Sequence, residues 1–341
     1  MSLWLVRAGR YGEQEESALQ HNVAAIGWDD LPDLSSIKSK EELKDLYERV
    51  YPGNKKMALA NEVGQLWTFI NKIQVNDLIV LPLKLRYAIA IGRVMGPYQY
   101  RTDLSPNIYH ARPVKWTKTD IPRTAFEQDL LYSFGACMTV CQILRNKAEE
   151  RVLAILEGKK PPPPIPGRGE AEPSTEEEEP STDVEQVARD QIVEYLNRKF
   201  KGHDLARIVD VVLQAQGYVT RRSEPGPDGG VDILAGAGPM GFSTPRLCVQ
   251  VKSSQSPADV TILRNLLGSM KTFDAEQGLL ISWGGFNQAV LKEARQSFFT
   301  VRLWDSGDLL EAILKNYDNL PKDLQAELPL KRIWGLVVEE E

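Results

Sequence analysis

The residues of this chain that could do chemistry lie in one stretch, residues 228–252, with the sequence DGGVDILAGAGPMGFSTPRLCVQVK. Asp232 stands in a short apolar run, and an alternating run further on ends in Gln250, Val251 and Lys252. Side chains of a strand alternate between its two faces. If the face that carries Val251 is buried, the other face presents Gln250 beside Lys252, where an acid delivered by Asp232 could join them.

These side chains suit the hydrolysis of a phosphodiester. The charge of a phosphodiester repels nucleophiles, and a divalent cation offsets that charge and lowers the pKa of a bound water. Mg²⁺, or Mn²⁺ in its place, takes oxygen ligands, which Asp232, the Gln250 amide and the Val251 carbonyl would supply. The Lys252 ammonium would position the water or stabilise the transition state. The sequence therefore predicts a site that combines a metal with a lysine.

The elements around this stretch predict an α/β core. Helices are expected over residues 184–199, 205–216, 258–271, 287–297 and 306–316, and strands over residues 231–235, 246–252, 278–282 and 300–304. Such alternation indicates a mixed central sheet flanked by helices. The glycine-rich segment 236–241, GAGPMG, matches a dinucleotide-binding fingerprint, but that fingerprint needs a following helix. Because another strand follows here, we interpret the glycines as a connection between strands.

The segments GPDGGVDILA, VQVKSS and GLLISWGGF, in that order, resemble the Mrr-type catalytic domain of the PD-(D/E)xK restriction nucleases over residues 196–315. The resemblance implies a restriction-endonuclease-like fold and a catalytic triplet of Asp232, Gln250 and Lys252, in which Gln replaces the usual second acid. The family often has a further acid on the preceding helix. Asp204 is the candidate, at a place where Glu is common, while Asp228 is expected to shape the PDGG turn.

The N-terminal part predicts an α+β domain, a small barrel or curved sheet with helices around it. Strands are expected over residues 2–8, 23–28, 77–82, 87–94 and 109–116, and helices over residues 40–51, 61–72, 126–131 and 142–156. Tryptophan and tyrosine recur at the strand ends. Most of these aromatic residues could equally belong to the core.

The segments LWLVRAG, IGW, GQLWTFI, NDLIVLP, AIGRVMGPYQY and HARPVKW resemble EVE and other PUA-like domains over about residues 1–120. The resemblance implies an aromatic pocket that holds a flipped base, which stacking and contacts to the base edge would stabilise. The predicted base-binding residues are Trp28, Trp67 and Tyr98, with Asp29 or Asp30 as acceptors. The predicted phosphate contacts, each of which could also be an ordinary surface charge, are Arg7, Arg10, Arg93, Arg101 and Arg112.

Residues 158–184, GKKPPPPIPGRGEAEPSTEEEEPSTDV, separate the two parts. The segment holds three basic and seven acidic residues and has almost no apolar ones, so it cannot offset the entropy of ordering by burial. It predicts a linker between a domain over residues 1–157 and a domain over residues 185–341. Neither domain is broadly basic, so a nucleic acid must be bound by a local patch.

Together these features predict a Mg²⁺-dependent DNA endonuclease of the restriction and defence type that depends on modified bases. Cutting both strands needs two active sites, so a homodimer or a higher homo-oligomer is expected. Two alternatives stay open, a nucleic-acid sensor whose nuclease fold does not cut and a nuclease directed at RNA. The chain shows no membrane-spanning run and no signal peptide, and its three cysteines have no framework spacing, which predicts a cytoplasmic protein.

Overall fold

The computed structural model describes residues 1–9, 11–53, 55–104, 108–159, 161–163, 183–223 and 230–333. These residues divide into two compact units, one up to Val187 and one from Ala188 onward. Most of the predicted linker, together with Arg10 and Asp228, lies outside the described residues. Within the described ranges, no helix combines the length and the apolar character that crossing a membrane requires.

The N-terminal unit is built on one curled sheet. Its described strands are β1 (Leu3–Val6), β2 (Val23–Ile26), β3 (Leu78–Pro82), β4 (Ala88–Val94), β5 (Gln99–Tyr100), β6 (His110–Pro122) and β7 (Val140–Gln142). Its described helices are α1 (Glu15–Gln20), α2 (Lys40–Val50), α3 (Lys56–Trp67), α4 (Gln128–Phe134) and α5 (Ala148–Leu156). A π-helical turn, Thr68–Lys72, continues α3 and completes the predicted helix there.

The strand order β2-β6-β4-β3-β1-β7 depends on the long strand β6. The first part of β6 pairs with β2 and β5, and its later part pairs with β4 across register shifts. Irregular register bends a strand and increases its twist, so the sheet curls into part of a barrel. The expected curved sheet with surrounding helices is present, and its assignment to the PUA and EVE families stays a prediction.

One predicted helix of this unit is partly wrong. The helix expected over residues 142–156 starts only at Ala148, because Val140–Gln142 forms β7 and extends the sheet beside β1. Cys141 there pairs with the buried Leu5. Backbone groups at a sheet edge gain hydrogen bonds from such an added strand, a long-range benefit that local periodicity does not indicate.

The C-terminal unit is the predicted mixed sheet with flanking helices, which fits the expected restriction-endonuclease-like fold. Its described strands are β8 (Val219–Arg222), β9 (Ile233–Ala237), β10 (Ser243–Lys252), β11 (Gln277–Ser282) and β12 (Val301–Trp304). Its described helices are α6 (Val184–Lys199), which starts in the other unit, α7 (His203–Ala215), α8 (Val260–Thr272), α9 (Gln288–Gln296), α10 (Ser306–Asn316) and α11 (Lys322–Glu327). The order is β12-β11-β10-β9-β8, with β8, β9 and β10 antiparallel and β10, β11 and β12 parallel.

The two faces of this sheet are covered by different helices. On one face, Cys248 and Leu280 pack with Leu263 and Leu266 of α8. On the other face, α7 reaches the edge strand, where the Gln214 side chain donates to the Thr220 hydroxyl at 2.8 Å. Strand β8 is absent from the predicted elements because Val219–Arg222 is largely exposed and carries no apolar alternation.

The glycine-rich segment connects β9 to β10, which confirms the interpretation made from the sequence. Gly238 and Gly241 have φ values of +80° and +74°, a region that glycine enters without steric cost. A Cβ atom on Gly236 would lie 1.9 Å from the Gly241 carbonyl oxygen. The glycines therefore allow a tight turn between strands.

Candidate active site

The hairpin of β9 and β10 places Asp232 beside the end of β10. The Asp232 backbone N–H donates to the Val249 carbonyl at 2.9 Å, and Val249 pairs with Ile233. Continuing this antiparallel register by one residue puts Asp232 opposite Gln250. The Asp232 Oδ2 atom accepts a hydrogen bond from the Val251 N–H at 2.7 Å. The structure thus brings the carboxylate to the backbone between Gln250 and Lys252.

The end of β10 is where the strand leaves the core. Gln250 is 4% exposed, whereas Lys252 is half-buried. The parallel register with β11 pairs Lys252 with Ser282, the last residue of that strand. Ligands of α/β sheets bind outside the carboxyl ends of parallel strands, and this is the edge at which the three predicted residues lie.

The loops that follow β10 and β11 hold each other in place. The Ala258 N–H donates to the Gly285 carbonyl at 2.9 Å, and the Asn287 N–H donates to the Ala258 carbonyl at 3.1 Å. A Cβ atom on Gly284 would lie 2.4 Å from the Gln255 carbonyl oxygen, so only glycine allows this approach. The site is therefore bordered by two loops that are bonded to each other, as preorganised chemistry requires.

The donor set fits a hard divalent cation. The Gln250 Oε1 atom is buried and has no hydrogen-bond partner among the described residues. A buried acceptor without a partner costs about 1–3 kcal/mol, and a cation held with Asp232 would satisfy it. Within the described residues no three His, Cys, Asp or Glu side chains form a metal cluster. One carboxylate with neutral oxygens is a set that Mg²⁺ accepts when water and phosphate complete its shell.

Ser282 is a polar residue of this edge that the sequence did not single out. Its hydroxyl is fully buried and has no hydrogen-bond partner in the described ranges. It lies beside Lys252 on the neighbouring strand. A serine at the end of the apolar run GLLIS gives no signal by itself, and only the parallel pairing shows its neighbour.

Asp204 is not brought to the triplet by any contact. Its side chain is 60% exposed, and its Oδ1 atom lies 3.7 Å from the Arg207 Nε atom. The Arg207 guanidinium also binds the Glu327 carboxylate, with donor–acceptor distances of 3.1 and 2.8 Å. Among the described residues, no hydrogen bond or ion pair joins Asp204 to Asp232, Gln250 or Lys252.

Trp28 of the N-terminal unit has an unusual backbone. Its φ is +66°, a region that bulky residues rarely adopt. The indole Nε1–H donates to the Glu62 carboxylate at 2.5 Å, and the Trp28 carbonyl accepts from the Leu31 N–H at 2.9 Å. The carbonyl also lies 3.2 Å from the Nε2 atom of His110. These contacts hold Trp28, with its half-buried indole, in place. A positive φ at a bulky residue is a strained backbone conformation, and such strain motivates a functional hypothesis.

Tyr98 belongs to the core. It is buried, its hydroxyl lies 2.8 Å from the His110 Nδ1 atom and accepts from the Leu34 N–H at 3.3 Å. Its ring packs against Phe69 and His110, and burial raises the pKa of its hydroxyl. A ring enclosed in this way offers no open face to a base. Trp67, in contrast, is half-buried at the edge of the same core cluster.

The two predicted acceptors differ in their surroundings. The Asp29 Oδ1 atom is buried without a hydrogen-bond partner among the described residues. Burial, with Asp30 and Glu13 nearby, raises the pKa of the Asp29 carboxyl. Asp30 is exposed and hydrogen-bonds with Tyr51. Asp29 therefore has the oxygen that still needs a donor.

Four of the five predicted phosphate contacts lie in described ranges, and two of them stabilise the fold. Arg7 donates to the Ala136 and Phe134 carbonyls at 3.0 and 3.1 Å. Arg112 is 3% exposed and donates to the carbonyls of Phe69, Gly96 and Ile70. Their donors are directed into the protein, so neither is placed to bind a phosphate.

The other two predicted phosphate contacts in the described ranges, Arg93 and Arg101, lie nearer the surface. Arg93 donates to the Asn76 carbonyl at 2.9 Å, and Arg101 binds the Asp103 carboxylate with distances of 2.6 and 2.7 Å. The Arg101 guanidinium lowers the pKa of Asp103 to about 2. The two side chains are 33% and 64% exposed, so salt and solvent screen this pair.

Comparison with known proteins gives two family matches. The restriction endonuclease family Mrr_cat matches residues 197–313, and a domain of unknown function matches residues 4–140. No curated protein matches the chain.

Solved structures similar to the chain include the DNA modification-dependent restriction endonuclease AspBHI, 14% identical over 82% of this chain and 76% of that one, with a TM-score of 0.34. They also include the MspJI restriction endonuclease in complex with a 27-mer oligonucleotide, 14% identical over 96% of this chain and 79% of that one, with a TM-score of 0.33. By this family match, residues 197–313 of the chain form a restriction endonuclease domain of the Mrr_cat family.

Proposed function

We propose that this protein is a Mg²⁺- or Mn²⁺-dependent DNA endonuclease of the restriction type that cuts DNA carrying modified bases. The observation that carries the proposal is the Asp232 carboxylate bound to the Val251 N–H, next to Lys252 and to a Gln250 oxygen that has no partner among the described residues. These groups lie within a restriction endonuclease domain. They are the parts that phosphodiester hydrolysis needs at one place.

In this proposal Asp232, Gln250, Lys252 and the Val251 backbone each have a role. Asp232, Gln250 and the Val251 carbonyl would hold the cation, which when bound offsets the phosphate charge and acidifies a water. The hydrogen bond from Val251 keeps the Asp232 carboxylate fixed before substrate arrives. The Lys252 ammonium donates to the phosphate oxygens as negative charge develops on them.

The N-terminal unit, as a PUA- or EVE-like domain, would read the base. Trp28 and Trp67 would stack on a flipped base, and Asp29 would accept from its exocyclic amine. Arg93 and Arg101 would contact the DNA backbone. Cleavage of both strands would need two copies of the chain, so we include a homo-oligomer on DNA in the proposal.

Digestion of plasmids tests this function. Plasmids that carry cytosine, 5-methylcytosine or 5-hydroxymethylcytosine are incubated with Mg²⁺, with Mn²⁺ or with a chelator, beside an RNA of the same sequence. We expect cleavage of a modified plasmid only when metal is present. Equal cleavage of unmodified plasmid would remove the dependence on modification, preferential cleavage of RNA would favour an RNA nuclease, and binding without cleavage would favour a sensor.

Replacing Trp28 with alanine is expected to weaken binding of the modified duplex by about 5- to 150-fold, since stacking on an aromatic ring contributes about 1–3 kcal/mol per base, and so to lower its preference over unmodified duplex. Competition binding in a chelator measures this preference separately from cleavage. Tyr132→Ala is the control, because it removes an exposed aromatic ring on α4 of the same unit. A folded Trp28→Ala protein with unchanged preference would exclude Trp28 from the pocket.

A further inference from the structure

We propose that Arg221 on the edge strand β8 binds a DNA phosphate next to the one that is cut. The inference rests on the proposed nuclease function and names a contact residue on the C-terminal unit that the sequence did not indicate. It follows from the register of three neighbouring strands, from the exposure of Arg221 and from the partners of the other arginines.

The register places Arg221 diagonally across from Asp232. Arg221 pairs with Leu234, and Arg222 pairs with Ile233. The Ser223 N–H donates to the Asp232 carbonyl at 2.9 Å, so the pairing continues to the acid itself. Diagonal neighbours on two paired strands lie about 7–8 Å apart. A guanidinium on a long side chain can therefore reach a phosphate adjacent to one held at Asp232.

Arg221 also lies on the same face as the triplet. Its partner Leu234 pairs in turn with Cys248 of β10, and side chains two and four residues beyond Cys248, those of Gln250 and Lys252, share that face. Arg222 points to the opposite face together with Thr220, which α7 contacts through Gln214. Arg221 therefore lies on the face of the sheet that carries the triplet, and Arg222 lies on the face that α7 contacts.

The Arg221 guanidinium can bind a phosphate because no described carboxylate is paired with it. Three other arginines of this unit are bound to carboxylates, Arg207 to Glu327, Arg246 to Glu276 and Arg264 to Glu293. Arg221 is exposed, and within the ranges that the structure describes it has no hydrogen bond or ion pair. A solvated guanidinium can bind phosphate oxygens in a bidentate way without first breaking an internal contact.

The pair Arg221 and Arg222 supplies its own control. Binding of Arg221→Ala, Arg222→Ala and Arg221→Lys proteins to a fluorescent duplex with 5-methylcytosine is measured in a chelator over a series of salt concentrations. We expect Arg221→Ala to raise Kd about five- to tenfold and to reduce the salt slope by about 1, as the loss of one phosphate contact does. Arg222→Ala should change Kd less than about twofold, and Arg221→Lys should recover part of the affinity.

Equal losses for the two alanine variants would show a general charge effect and overturn the inference, as would unchanged binding of Arg221→Ala. Because binding is measured without metal, the result is independent of catalysis. Wild-type cleavage with no effect of Arg221→Ala would refute this inference alone. The expected binding pattern without cleavage under any metal would support the contact while refuting the nuclease.

Discussion

Lys252→Ala is expected to reduce DNA cleavage by about 10²–10³-fold, because it removes a donor that stabilises charge only as the transition state forms. Lys252 is half-buried at the end of β10, so the substitution removes an ammonium from the site and leaves the core side chains of the strand in place. Affinity for DNA in a chelator should fall by less than tenfold. Single-turnover cleavage and anisotropy binding measure the two effects separately.

Lys271→Ala is the matched control for this experiment, since Lys271 is an exposed lysine in the last turn of α8. It should cut at the wild-type rate. Lys252→Arg keeps the charge and changes its geometry, so partial activity there would indicate that charge matters more than position. Undiminished cleavage by a folded Lys252→Ala protein would refute the assigned active site.

Asp232→Asn is expected to abolish metal-dependent cleavage and to weaken Mn²⁺ binding at least tenfold, because it replaces the one carboxylate of the proposed ligand set with a neutral group. The asparagine keeps an oxygen that can accept the Val251 N–H, so the end of the hairpin should stay folded. Titration of Mn²⁺ by electron paramagnetic resonance reports metal affinity without relying on activity. Thermal unfolding confirms that the variant is folded.

Asp204→Asn tests whether the second predicted acid, like Asp232, takes part in metal binding. Asp204 is exposed and paired with Arg207, so its loss should leave Mn²⁺ affinity within about twofold of the wild type. If Asp204→Asn lost metal as Asp232→Asn is expected to, the helix acid would be part of the site in the active protein. If Asp232→Asn bound Mn²⁺ normally, the metal would lie elsewhere.

Local patterns predicted much of the C-terminal unit. The helix over residues 184–199 and the helix over residues 306–316 have the predicted bounds, and the alternating run that ends at Lys252 is a strand. Apolar spacing follows from burial along one element, so a single sequence carries that signal. Strand β8 carries no such signal, because its side chains are mostly exposed and its pairing with β9 is what orders it.

The contacts that individual side chains make could not be predicted from the sequence. The sequence does not tell whether an arginine of a strand contacts water or carbonyl groups, yet Arg112 is buried against three carbonyls and Arg221 is exposed. In the same way, Tyr98 and Trp28 are both aromatic residues near strand ends. Only the packing of Phe69 and His110 shows that Tyr98 is enclosed.

The amino-acid order by itself determined which groups could do chemistry: an acid, an amide and an amine whose types suit a metal and a phosphate, with Gln250 and Lys252 fixed to one face by strand alternation. The tertiary structure decided that Asp232 meets them through the Val251 N–H, that Asp204 is held by Arg207 instead, and that Ser282 and Arg221 border the same edge. The reason is physical. Alternation acts between neighbours in the chain, whereas these contacts join strands and helices that are far apart in sequence and meet only when the sheet forms.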